Sequence, residues 1–132
     1  MSILPREYLD SAKEMIDQNA DEIVFRNCIS RSYYGLYHSI CAFLKHCPPT
    51  THEGVITYLM SPSERKKENI DQMLLISLGA VLKQQKIKRH RADYDLLADV
   101  DFNDADTSIL ASEKIIDKMS SNQSKSNLQP SL

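Results

Sequence analysis

The stretch EIVFRNCISRSYYGLYHSICAFLKH, residues 22–46, decides the fold. It holds no proline and one glycine, and its apolar residues recur at three- and four-residue intervals. At 100° per residue, Phe25, Ile29, Tyr33, Leu36, Ile40, Phe43 and Leu44 share one broad face. Asp21 is the predicted N-cap, and Pro48-Pro49, which cannot continue a helix, marks the stop. A one-sided helix of this length must be covered by other elements, and the rest of the chain supplies helices for the task.

The same period runs through nearly all of the sequence. A first helix opens at Pro5, whose fixed φ suits a first helical position, and carries Tyr8, Leu9, Ala12, Met15 and Ile16 inward. Thr50-Thr51 restarts a short helix through His52 to Met60, and Ser61 to Glu64 is a break that doubles as a capping signal. A long helix is predicted from about Glu68 to Ala98, with Met73, Leu74, Leu78, Val81, Leu82, Ile87, Tyr94 and Leu97 on its inner side. A last helix is predicted from about Asp104 to Met119. The fold class is therefore all-α, an up-and-down bundle of four to five helices in one domain over residues 1–119. The polar stretch from Ser120 to Leu132 has little to bury and reads as a disordered tail.

Composition narrows the function. The chain has 132 residues, a formal net charge of −2 and a pI near 6.1, so any anion binding must come from a local patch. No apolar run is long enough to cross a bilayer, and the first residues lack a secretory pattern. Three cysteines, Cys28, Cys41 and Cys47, suggest no disulfide framework, and a cytoplasmic setting is expected. The cluster Cys41, His46, Cys47, His52 matches no zinc spacing. Asp99 to Asp104 begins like a calcium loop but lacks its glycine and its closing glutamate. No metal or cofactor is implied.

Two dense patches remain. The far side of the second helix collects Arg31, Tyr34, Gly35, His38 and Ala42, which is not an ordinary Lys/Glu-rich solvated face. Gly35 costs about 1 kcal/mol relative to alanine in a helix interior, so close packing is expected to compensate, against another helix or a second copy. Arg31 and His38 lie within about 20° of each other and roughly 10 Å apart along the axis. An arginine and a histidine so placed are candidates for metal-independent RNA cleavage, the imidazole moving a proton while the guanidinium neutralises the phosphate. The competing reading ties Arg31 to a carboxylate and His38 into a packing seam.

The second patch is Lys86 to Asp95. Lys83, Lys86, Lys88, Arg89 and Arg91 form the one basic cluster, with Lys88, Arg89 and Arg91 as candidate RNA-phosphate contacts. The i,i+4 pairs Arg89–Asp93 and Arg91–Asp95 are worth only a few tenths of a kcal/mol. Tyr34, Gly35, Ala42, Asp93 and Tyr94 are the candidate packing or interface residues.

Three segments together carry a resemblance. Ser32-Tyr33-Tyr34-Gly35-Leu36-Tyr37-His38 resembles the "YYxxFH" helix of small bacterial HEPN-domain proteins. Thr51-His52-Glu53-Gly54-Val55 is similar to their "THxGV" segment, and Arg89-His90-Arg91-Ala92-Asp93-Tyr94 to their "RxxADY" segment. The resemblance covers about Leu9 to Met119. It implies a helical bundle, usually dimeric, often encoded beside a minimal nucleotidyltransferase as a toxin–antitoxin pair, with many members acting as metal-independent ribonucleases. Catalytic members carry Arg-polar-x(3–5)-His on the later helix, where this chain has Ala92 or Asp93 in the histidine's place. Two functions follow as expectations. One is a dimeric protein that binds or cuts RNA in a toxin–antitoxin or defence-type system. The other is a non-catalytic module that binds a nucleotidyltransferase or another protein.

Overall fold

The computed structural model describes residues 2–128, with side chains through Asn122, and these form helices without any strand. In chain order they are α1 (Pro5–Met15), α2 (Glu22–Phe43), α3 (His52–Met60), the single turn α4 (Pro62–Arg65), α5 (Gln72–Tyr94) and α6 (Phe102–Leu128). Pro5 and Pro62 open α1 and α4, and the hydroxyls of Thr51 and Ser61 accept the N–H groups of Gly54 and Glu64 at the starts of α3 and α4, whereas Asp21 stands at the N-cap of α2 without a side-chain bond. Among the described residues, no helix is long and apolar enough to cross a membrane.

Helix directions follow from which residues touch. Gly35 lies against Pro5 and Leu9, while Cys28 donates to the Ala12 carbonyl, so α1 and α2 run antiparallel. Arg26 reaches Ala92 and Ser30 reaches Asp93, whereas Lys45 meets Glu68, so α2 and α5 also run antiparallel. Phe25 packs edge-on against Phe102, and Arg6 pairs with Asp117. The order α1, α2, α5, α6 is thus up-down-up-down, with α3 and α4 filling the long connection beside α5.

All seven residues assigned to the core face of α2 are buried. Each such side chain contributes roughly 1.5–3 kcal/mol on burial. The α5 assignment needs correction. Leu74, Leu78 and Leu82 are buried and Val81 is half-buried, but Met73, Ile87, Tyr94 and Leu97 face solvent. The cause is that α5 carries apolar residues on two sides, and periodicity alone does not say which side the bundle covers. The helix also runs from Gln72 to Tyr94, shorter at both ends than the predicted 68–98. At the other end of the chain, Met119 is the last buried residue described, at the predicted edge of the packed unit. The helix nevertheless continues through the polar stretch to Leu128, and residues 129–132 of the expected disordered tail lie outside the described residues.

Two buried charges fix the ends of α5. The Arg26 guanidinium donates to the carbonyls of Ala92 (2.9 Å), Asp95 (3.0 Å) and Ala98 (2.6 Å), groups left open where α5 ends. A cation at this negative end of the helix dipole is doubly suited. Before α5, the Glu68 carboxylate accepts the N–H groups of Lys45 (2.8 Å) and His46 (2.9 Å) and the Tyr58 hydroxyl (2.5 Å). Burial alone would raise the Glu68 carboxyl. Tyr58 and the two N–H groups outweigh it and hold the group below its ordinary range.

Arg26→Met leaves three carbonyls without their donor and should cost about 2–4 kcal/mol in urea unfolding. A loss below about 0.5 kcal/mol would show that those carbonyls find other donors. Glu68 adds a pH signature. Its folded carboxyl titrates below the unfolded one, so its stabilisation is present above the ordinary carboxylate range and is lost as pH falls through the folded value. Glu68→Gln should therefore destabilise by about 1–3 kcal/mol near pH 7, with a shallower loss of stability towards acid than wild type.

Candidate functional site

The three motif segments sit on three helices, α2, α3 and α5, and the fold brings them to one place. Tyr33, wholly buried at the centre of α2, places its hydroxyl 2.7 Å from Nδ1 of His52 at the start of α3. The His52 ring stacks on Tyr37 at a centroid distance of 3.7 Å and an interplanar angle of 10°. From α5, the Arg89 guanidinium carbon lies 5.1 Å from the Tyr33 ring centroid and 5.9 Å from those of Tyr34 and Tyr94. Such cation–π contacts are worth about 1–2 kcal/mol when largely desolvated, and the Arg89 side chain is only 12% exposed. Asp93 completes the group. Its carboxylate lies 3.7 Å from Arg89 and accepts a hydrogen bond from the Ser30 hydroxyl at 3.3 Å.

The cluster sets its own protonation. Burial, with smaller contributions from neighbouring tyrosines, raises the Tyr33 phenol above its ordinary value against the pull of Arg89. Burial, with Cys41 alongside, pushes Tyr37 up to about 12. His52 moves the other way: burial lowers it, and the positive charges of Arg89 and Lys86, with His38, lower it further. At neutral pH both the phenol and the imidazole are therefore uncharged. The Tyr33 hydroxyl and Nδ1 share one hydrogen bond, in which the imidazole tautomer decides which group donates. Lys86 also pairs with Glu53 at 2.7 Å, pinning α3 to α5 beside the cluster.

The other candidates are held elsewhere. Arg31 donates to the Ser11 hydroxyl of α1, not to a carboxylate, while the exposed His38 ring stacks on Tyr8 at 5.5 Å. The two side chains thus engage different residues of α1, and no hydrogen bond joins them. Arg91 donates to the Asp99 carbonyl at 2.8 Å and lies 3.8 Å from Asp104, in place of the predicted Asp95. The Arg89–Asp93 pair forms as read, although Arg89 turns inward over the rings while Lys88 stays half-buried. Gly35 meets the chain's own α1, where an added Cβ would lie 3.1 Å from Leu9 N. The close approach anticipated at this glycine is therefore made within the bundle. Ala42 remains exposed, at the edge of a shallow depression of about 230 Å3 shared with Pro5, Phe43 and Met119.

Sequence reasoning missed His52 as a member of this cluster, having weighed it only as a zinc ligand. Its place in the Thr51–Val55 segment was the usable signal. Arg26 was missed too, although it falls on the same side of α2 as Leu44, five full turns away.

No family model, curated protein or solved structure matches the chain.

Removing a positive charge next to His52 has a defined consequence. Arg89→Gln should raise the His52 titration point, followed by NMR of the imidazole C–H resonances, while burial keeps it below the ordinary histidine value. In wild type, the stability tied to neutral His52 is present above the ordinary histidine range and is lost as pH falls through the lower folded value. An unchanged His52 titration in Arg89→Gln would mean the guanidinium does not act on the ring.

Proposed function

We propose that the chain is a HEPN-like helical bundle of a toxin–antitoxin or defence-type system that works by binding a partner, not by cutting RNA. The observation that carries this is the engagement of its acid/base and cationic groups. His52 is bonded to Tyr33 and stacked on Tyr37, and Arg89 is folded over Tyr33 and Tyr34. Arg31 is tied to Ser11 and Arg91 to Asp99 and Asp104. A ribonuclease needs a base, an acid and a phosphate-binding cation aimed at one open point. Here His52, Arg31 and Arg91 spend hydrogen bonds on the fold, Arg89 gives its charge to tyrosine rings and Asp93, and His38 is stacked on Tyr8. The meeting of the three HEPN-like segments in one cluster supports the resemblance, because residues far apart in sequence serve a single packing purpose. The partner in this reading is a protein, with a minimal nucleotidyltransferase as the first choice from the resemblance.

A second reading keeps RNA as the ligand. The exposed His38 ring stacked on Tyr8, with Tyr34 beside it at 6.3 Å, offers an aromatic platform of the kind that takes unpaired bases. One assay separates the two. Purified protein is incubated with total RNA in EDTA, alongside His38→Ala and Arg91→Ala, and RNA length and mobility are followed. The binding-module reading expects intact RNA of unchanged mobility in all three. EDTA-resistant cleavage lost in His38→Ala would overturn it in favour of an RNA-cutting enzyme.

A further inference from the structure

The turn that leads from α5 towards α6 is held from both sides. Arg26 takes the carbonyls of Asp95 and Ala98, and the Ala98 N–H donates back to the Asp95 carbonyl at 3.3 Å. The Asp95 carboxylate accepts the Leu97 N–H at 3.2 Å. Just beyond, Arg91 takes the Asp99 carbonyl and Glu22 the Val100 N–H. Between these anchors Leu96 is 80% exposed and Leu97 is 97% exposed, more than any other large apolar side chain among the described residues. Tyr94, two residues before Leu96, is exposed as well. Single exposed leucines are ordinary on a protein surface. Two in succession on this turn are different, because the turn cannot roll to bury them without leaving the Arg26 guanidinium unpaired.

Charge says what can cover the pair. Between Arg91 and Lys114 the sequence has seven carboxylates and neither lysine nor arginine. Asp93 answers to Arg89 and Asp104 to Arg91. The exposed Asp95, Asp99 and Asp101 form no ion pair among the described residues, so the two leucines stand in an uncompensated negative field. That field repels nucleic-acid phosphates and the anionic surface of a bilayer alike. It suits a protein cleft with an apolar floor and a rim of lysine and arginine: the floor takes the leucines and the rim takes the carboxylates. A turn already fixed by Arg26 also loses little conformational freedom on docking.

We propose that the Leu96–Leu97 turn is the docking element of this chain, and that its partner is a protein whose apolar cleft is rimmed by lysine and arginine. The proposal rests on the binding-module reading and names the contact that reading requires.

The probe is a synthetic amphipathic peptide of leucine and lysine, titrated into the isotope-labelled intact chain and followed through its amide resonances by NMR. The amides of Leu96, Leu97 and Ala98 should shift saturably, and a matched peptide of leucine and glutamate should leave them unmoved. Leu96→Ser/Leu97→Ser should keep wild-type helicity by circular dichroism while raising the dissociation constant at least about tenfold. Asp95→Asn/Asp99→Asn keeps an acceptor for the Leu97 N–H and should weaken binding while flattening its salt dependence. The exposed carboxylates in and just after α1, Glu7, Asp10, Glu14 and Asp17, are the internal comparison, since they offer charge with no leucine among them. Shifts centred on that stripe or on the outer face of α5, equal shifts with the glutamate peptide, or undiminished binding in the serine variant would overturn the proposal. So would shifts of the turn amides on adding single-stranded RNA or phosphatidylglycerol vesicles. Absent turn shifts with intact RNA in the assay above would remove this proposal alone, whereas RNA cleavage would remove the binding-module reading itself.

Discussion

Two buried charges of opposite sign, Arg26 and Glu68, hold the α2–α5 pair on which the other helices depend. They sit at opposite ends of that antiparallel pair. Arg26 takes the open carbonyls where α5 finishes, and Glu68 takes the N–H groups just past the end of α2. Apolar packing alone would let two such helices slide by a turn, since apolar residues recur along both. A guanidinium that must find three carbonyls admits one register. Glu22 extends the same lock, lying 3.8 Å from Arg26 and accepting the Val100 N–H at 2.7 Å, which directs the chain into α6. Desolvating these charges is costly, and they return specificity more than net stability.

Between the two clamps lies the aromatic cluster, whose chemistry follows from its position. Tyr33 is surrounded on the core face of α2, so its hydroxyl needs a partner, and α3 supplies one in His52. The imidazole is then dried by Tyr37 and repelled by Arg89, both of which favour its neutral form. Arg89 in turn is tolerated in a half-dry place because ring faces and Asp93 receive its charge. Each residue is explained by the one before it. The set behaves as a polar rivet joining α2, α3 and α5.

Much of this was legible in the sequence, and unevenly so. The α2 core face followed directly from a 3.6-residue period, the restart of helix at α3 from Thr50-Thr51, and the close packing at Gly35 from the cost of a glycine inside a helix. Glu68 gave no local sign, because its partners Lys45, His46 and Tyr58 lie 10–23 residues away. Arg26 did give one, an arginine in an apolar stripe, which periodicity counts ignore because they score apolar residues only. The α5 face was misassigned for a different reason. With apolar residues on two sides, its pattern contains two valid stripes, and only the positions of α2, α3 and α6 select between them. Arg31 and His38 share a helix face, yet α1 engages them through different residues.

The outer face of α5 and the buried cluster meet at Tyr94. This exposed residue ends the helix and also lies 5.9 Å from the Arg89 guanidinium, so solvent and the cluster share one neighbour. Arg89 in turn opposes protonation of His52, because two cations repel in a setting drier than water. The neutral imidazole that Tyr33 and Tyr37 engage is therefore held by burial and by a guanidinium that itself rests on tyrosine rings. An arrangement of this kind needs no moving part. It follows from placing one arginine between a stack of aromatic rings and a half-buried histidine.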